Sequence, residues 1–265
     1  MKQPSRYFGI SIILVSFLWL CTSVRAHDLI LFPAWKVGKL SIVAKYGHPG
    51  DWQFASLDKL LELTVIAPDG SQSDWRTGLK NVGLDLQGST AKAWQPGVGT
   101  TMFSSRFDNG LWVELADGSY RNARKSAFTD VKKSLSSFKY AKALIWQGKR
   151  DDNFQRVVGH DLEIVPMADP FAATVGRKLP VKVLLRGKPL ANIGLEIRDG
   201  ATPLEEKDIP RYSTNAEGIA EVPIDKAGWQ VIGVDYEEPS PNTELVDMQK
   251  IVATLSFHLD ANRKR

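Results

Sequence analysis

Gly159-His160-Asp161-Leu162-Glu163-Ile164-Val165-Pro166 opens the part of the chain whose pattern decides the fold. It carries a short apolar run with no helical period, and it is followed by more runs of the same kind. Asp161 to Met167, Leu179 to Leu185, Gly194 to Arg198, Ile219 to Pro223, Gly228 to Tyr236 and Ile251 to His258 read as six short strands. Gly187-Lys188-Pro189, Asp199-Gly200 and Asn215-Ala216-Glu217-Gly218 supply turns between them. Short strands with turn signals about every ten residues predict a β-sandwich.

Upstream of residue 158 the chain is also β-rich. Leu40 to Tyr46 and Leu61 to Ile66 read as strands, the second ending in the turn Pro68-Asp69-Gly70. Leu111 to Leu115, between Asp108-Asn109-Gly110 and Asp117-Gly118, reads as a hairpin arm. Tyr140 to Trp146 is another strand. Residues 120 to 139 are basic and serine-rich, and read as a solvated loop or short helix, with a surface for an anionic partner as the alternative. The expected fold is all-β, with two β-sandwich-like domains, 27 to 157 and 158 to 265, the second immunoglobulin-like.

Residues 1 to 26 have the form of a secretory signal peptide. Lys2 and Arg6 give a basic start, Phe8 to Leu20 is apolar, and Val24-Arg25-Ala26 fits a cleavage site. The apolar run is shorter than the roughly 20 residues of a membrane span, so no stable anchor is expected after cleavage. The precursor has 34 Lys+Arg against 30 Asp+Glu. Loss of Lys2, Arg6 and Arg25 leaves thirty-one cations against thirty anions, which argues against a nucleic-acid partner. The one cysteine, Cys21, leaves with the signal, so the mature chain can form no disulfide and offers no thiolate. The expected location is periplasmic or secreted.

Cleavage after Ala26 would place His27 at the amino terminus. Its α-amine and imidazole Nδ1 can then close a chelate ring on one metal ion, and His48 can add a third nitrogen. Such a three-nitrogen brace suits Cu(II), with Ni(II) next in the affinity order. A solvated terminal residue and a turn histidine before Pro49 are the plain alternatives. Asp28 could orient His27 or lend a distant oxygen. His160 reads as a loop residue at the domain junction. His258 reads as exposed, opposite a buried Phe257. Together His160 and His258 are candidates for a second, weaker site. Glu62, Glu114 and Glu163 sit at expected exposed strand positions. Trp112, Trp146 and Trp229 read as core, while Trp52 and Trp75 in loops could form a sugar-stacking platform. No zinc-protease helix motif, phosphate loop or nucleophile elbow is present.

An ordered set of short motifs runs through the mature chain: His27-Asp28-Leu29, Tyr46-Gly47-His48-Pro49, Tyr140-Ala141-Lys142-Ala143-Leu144, Gly159 to Pro166, Asp169-Pro170, Gly187 to Leu190, Thr214 to Gly218, Ala227-Gly228-Trp229 and Ala253 to Phe257. In this the chain resembles domain-of-unknown-function family 4198. That family comprises exported proteins often encoded beside nickel or cobalt uptake systems and formerly described as a nickel-transport component. The resemblance implies His27 and His48 as metal candidates for nickel, cobalt or copper, and a membrane metal transporter as partner. Asp51 to Asp58 departs from the expected acidic and proline-containing stretch, which leaves a third side-chain ligand open. The leading expectation is a periplasmic transition-metal-binding protein, an accessory of metal uptake, rather than an enzyme. The alternatives are a copper-dependent oxidative enzyme with an axial Tyr46, Tyr140 or Phe257, or a metal-free carbohydrate- or protein-binding sandwich.

Overall fold

A computed structural model of the protein describes residues 27–36, 38–89 and 96–260. The expected signal segment with Cys21, and Trp94, lie outside the described residues. The chain opens with a hairpin of β1 (Asp28–Lys36) and β2 (Lys39–His48), and a tight turn leads to the short β3 (Asp51–Gln53). β4 (Leu60–Ile66), β5 (Gln72–Asp74), β6 (Lys80–Val82) and β7 (Asp85–Ser89) follow. Two long strands come next, β8 (Gly99–Leu115) and β10 (Val131–Gln147), with the two-residue β9 (Tyr120–Arg121) between them. The remainder comprises β11 (Leu162–Pro166), β12 (Arg177–Leu185), β13 (Lys188–Pro189), β14 (Gly194–Arg198), β15 (Arg211–Ser213), β16 (Ile219–Ile224), β17 (Gly228–Pro239) and β18 (Met248–Leu259). The helices among the described residues are single 3-10 turns. The chain is all-β, as its strand and turn pattern predicts.

The strands form three sheets. A nine-stranded sheet runs β15-β14-β17-β18-β10-β8-β4-β5, with β9 beside β8. A five-stranded sheet is built on β1-β2-β7-β6, with β3 beside β2, and a four-stranded sheet on β11-β12-β13, with β16 beside β12. The large sheet is covered on both faces. Tyr140 and Leu144 of β10 pack with Ile164, Val181 and Val183 of the four-stranded sheet. Ala141 and Ala143, one step along in the strand alternation, pack with Leu29, Leu31 and Ile42 of the five-stranded sheet. The two expected sandwiches therefore share their middle layer. Strand pairing crosses the boundary expected at residue 157, because β10 lies parallel to β18 with Phe138 opposite Ile251.

Three local expectations are corrected. The basic stretch up to Lys139 is neither wholly loop nor helix, since β10 begins at Val131 and runs seventeen residues along β8. The inward Ser134 and Lys142 are tolerated because Asp247 and Glu163 partner them. Asp108-Asn109-Gly110 does not turn the chain. It lies inside β8, where the register with β10 skips Asn109, a β-bulge that re-aims that side chain. Glu163 is not on an exposed face. It is 1% exposed and paired with the equally buried Lys142 at 2.8 Å. Its carboxylate also accepts from the Val158 and Gly159 amides, so the loop before β11 and Lys142 together cover it.

Candidate functional site

The β1–β2 register pairs Asp28 with Gly47 and Leu29 with Tyr46. Continued by one residue, it brings His27 beside His48 at the open end of the hairpin. Their ring centres are 5.9 Å apart, with the planes inclined by 60°. Residues 21 positions apart meet because an antiparallel hairpin folds the chain back on itself. His27 also meets the Tyr46 ring edge-on at 5.3 Å, and Tyr46 stacks on Phe107 at 5.4 Å.

The turn after β2 completes one side of this cluster. β3 returns along β2 with Asp51 opposite His48. The Asp51 carboxylate Oδ2 then lies 3.1 Å from His27 Nε2. That hydrogen bond, ahead of a second from Gln53, holds the Asp51 carboxyl below its ordinary range. It also favours the proton on Nε2, leaving the lone pair on Nδ1. Gly47 makes the turn geometry possible. Its φ is +119°, and a Cβ there would lie 2.3 Å from the Asp51 carbonyl oxygen.

His48 is 3% exposed and faces inward. Its Nδ1 lies 2.5 Å from Arg198 Nη1 and 3.6 Å from Asp28 Oδ2. Arg198, on β14, donates to Asp28 Oδ2 at 3.0 Å and to Glu196, which Arg211 holds from the other side at 2.6 Å. Burial lifts the Asp28 carboxyl above its ordinary value, against the pull of Arg198 and Lys139. Asp28 thus pairs with Arg198 behind His48 and does not line the surface.

The other sequence candidates lie elsewhere. His160 is 7% exposed, with Nε2 2.8 Å from Ser104 Oγ and its ring 4.9 Å from Tyr140. Burial pushes its pKa down to about 4. It is a packed loop residue whose proton cannot readily be gained, not a surface ligand. His258 has a half-exposed side chain beside Asp260 and against Trp229, while Phe257 is fully buried. The two histidines have different neighbours and form no joint site. Phe257 packs on Phe171 in the other core, away from His27. Trp75 does not form an exposed platform with Trp52. It is buried edge-on against Phe103, whereas Trp52 lies under Lys45. Trp112, Trp146 and Trp229 are part-exposed rather than core.

Among the described residues, no group of three or more His, Cys, Asp or Glu side chains is placed to hold a metal ion. Two imidazoles meet at the hairpin mouth, and a chain cut before His27 would add its α-amine to them as a third nitrogen. Sequence reading named His27, His48 and Asp28, which the fold brings together at the hairpin mouth. It missed Asp51, Arg198 and Asn109, which bear no motif and are brought in by a turn, a strand 150 residues away and a bulge.

Behind His27 opens a cavity of about 250 Å³. Tyr46, Asn109, Trp112, Lys139 and Lys250 contribute to its wall. Lys139 is 2% exposed, and burial pulls its pKa down to about 8. Burial also raises the Tyr46 phenol well above its usual value, keeping it protonated.

The family profile described as "Domain of unknown function (DUF4198)" matches residues 24–238. A Haemophilus influenzae protein described as "Uncharacterized protein" is 24% identical over 234 residues, covering 88% of this chain and 90% of its own length.

Proposed function

Because the chain belongs to the DUF4198 family, whose title assigns no activity, its function has to be argued from the site, and we propose that the mature protein is an exported binding protein that captures a divalent transition metal at the hairpin mouth. The α-amine and Nδ1 of His27, with His48, would hold the ion. The observation that carries this reading is the pairing of His27 Nε2 with Asp51. In the neutral ring it favours the tautomer with the proton on Nε2, and Nδ1 is the nitrogen that chelates together with the amine on the same residue.

The spacing of the rings supports the reading too. Two imidazoles on opposite sides of one ion, each bonded at about 2 Å, bring their ring centres to roughly 6 Å. The observed 5.9 Å fits that requirement. A set of nitrogen donors without thiolate favours Cu(II), then Ni(II), over Co(II). Delivery to a membrane transporter or buffering is the role that such a site would serve.

The test is calorimetric titration of the correctly processed protein with Cu(II), Ni(II) and Co(II), beside a variant carrying one glycine before His27. The added residue moves the amine away from the imidazole while leaving both rings in place. Affinity should fall at least a hundredfold in the extended protein. Equal affinity in the two proteins would show that the terminus takes no part.

A further inference from the structure

Lys139 is the least satisfied charge at the cavity. The side chain is 2% exposed, and its ammonium has three donors. Nζ donates to Ser137 Oγ at 3.4 Å and lies 5.8 Å from the centre of the Tyr46 ring. Among the described residues, no carboxylate oxygen comes within 4.0 Å of it. The nearby anions are engaged elsewhere. Asp28 is held by Arg198, Glu237 by Lys133 at 2.8 Å, and Asp235 by Lys250 at 2.6 Å. A buried ammonium without a paired anion costs several kcal/mol. Here that charge stands at the wall of a space of about 250 Å³.

The remaining wall is mixed. The Tyr46, Trp112 and Tyr120 rings give apolar faces, Asn109 and Ser137 give short polar groups, and the two carboxylates that also line it, Glu114 and Glu237, are paired with Lys132 at 2.6 Å and Lys133 at 2.8 Å. The Asn109 Oδ1 accepts from Lys59 at 3.1 Å, so Lys59 holds that side chain in place. A volume of this size holds about eight waters, and so a ligand of roughly ten non-hydrogen atoms.

We propose that this cavity binds a small organic carboxylate, with the Lys139 ammonium as its charge partner and the aromatic wall against its carbon skeleton. The proposal goes beyond metal capture and does not need it, since it rests on Lys139 and the cavity, although His27 borders both.

The experiment uses metal-free mature protein and follows tryptophan fluorescence on titration with acetate, benzoate, succinate and citrate. Acetamide and benzamide are the neutral controls. At least one acid should bind about tenfold or more tighter than the amides. Lys139→Met should fold with an unchanged or higher melting temperature, because it removes an unpaired buried charge. It should lose the preference for the acid. His27→Ala should lose Cu(II) affinity yet keep the Lys139-dependent preference, which separates this proposal from the metal site. If none of the four acids binds tighter than the amides, or if Lys139→Met binds acids as the native protein does, the proposal is overturned.

Discussion

Replacing Arg198 by methionine isolates the contact that ties the hairpin mouth to the rest of the protein. The Arg198 side chain is 6% exposed and that of Asp28 10%. Its guanidinium serves Asp28, His48 and Glu196 at once. Methionine fills much of the volume, so the loss is chiefly electrostatic. Breaking a buried pair by removing one partner costs about 3–5 kcal/mol, because the other charge is left uncompensated. Glu196 keeps its bond from Arg211, so the group that loses its paired cation is Asp28, left with only the more distant pull of Lys139. For a chain of this length the penalty amounts to a fall in melting temperature of roughly 6–20 °C. Asp28→Asn in the same background removes the stranded charge and should restore more than half of the loss. His48 also loses its inward tether, and a loosened orienting partner lowers metal affinity by about 10–100-fold. Differential scanning calorimetry of the two variants and the native protein, with copper titration of each, gives all three numbers. A loss below about 1 kcal/mol for Arg198→Met, or a double variant no more stable than the single, would refute the reasoning.

Lys142→Met leaves Glu163 buried without its paired cation; the carboxylate keeps backbone donors from Val158 and Gly159. Chemical denaturation should show a loss of about 3–5 kcal/mol. His160 titrates lower when folded than the ordinary 6.5, at about 4. The unfolded chain therefore binds the extra proton first. The contribution of this residue is complete above pH 6.5 and is lost as pH falls toward 4, by about 3 kcal/mol over that window. His160→Gln should flatten that part of the stability-against-pH curve. Gly47→Ala forces a Cβ against the Asp51 carbonyl and should cost about 1–3 kcal/mol, with a measurable loss of metal affinity as Asp51 leaves His27.

The strand content was legible in the sequence because turn residues bracket short apolar runs. The encounter of His27 with His48 was only half legible, since Leu40 to Tyr46 reads as a strand but β1, whose pairing with β2 brings the two rings together, was not read as one. The rest depended on contacts that no local pattern carries. Glu163 reads as exposed if β11 has one wet face, but the loop before β11 and Lys142 of the neighbouring sheet cover its carboxylate. Lys139 and Lys142 lie on opposite faces of β10, and a basic strand with both faces buried resembles a solvated loop until its partners are known. Asp108-Asn109-Gly110 has turn composition, yet β10 pairs straight past it and the extra residue becomes a bulge. Arg198 reaches the site from a strand 150 residues beyond His48, a separation at which spacing carries no information.

The most direct test of the central claim is a crystal structure of the mature protein, beginning at His27 and soaked in Cu(II), with anomalous scattering recorded at the copper edge. The expected result is one strong peak at the hairpin mouth, about 2 Å from the α-amine and Nδ1 of His27 and from a ring nitrogen of His48. Asp51 should remain on Nε2. A saturated crystal with no peak there, or with copper bound only at His258 or another surface residue, would contradict the account.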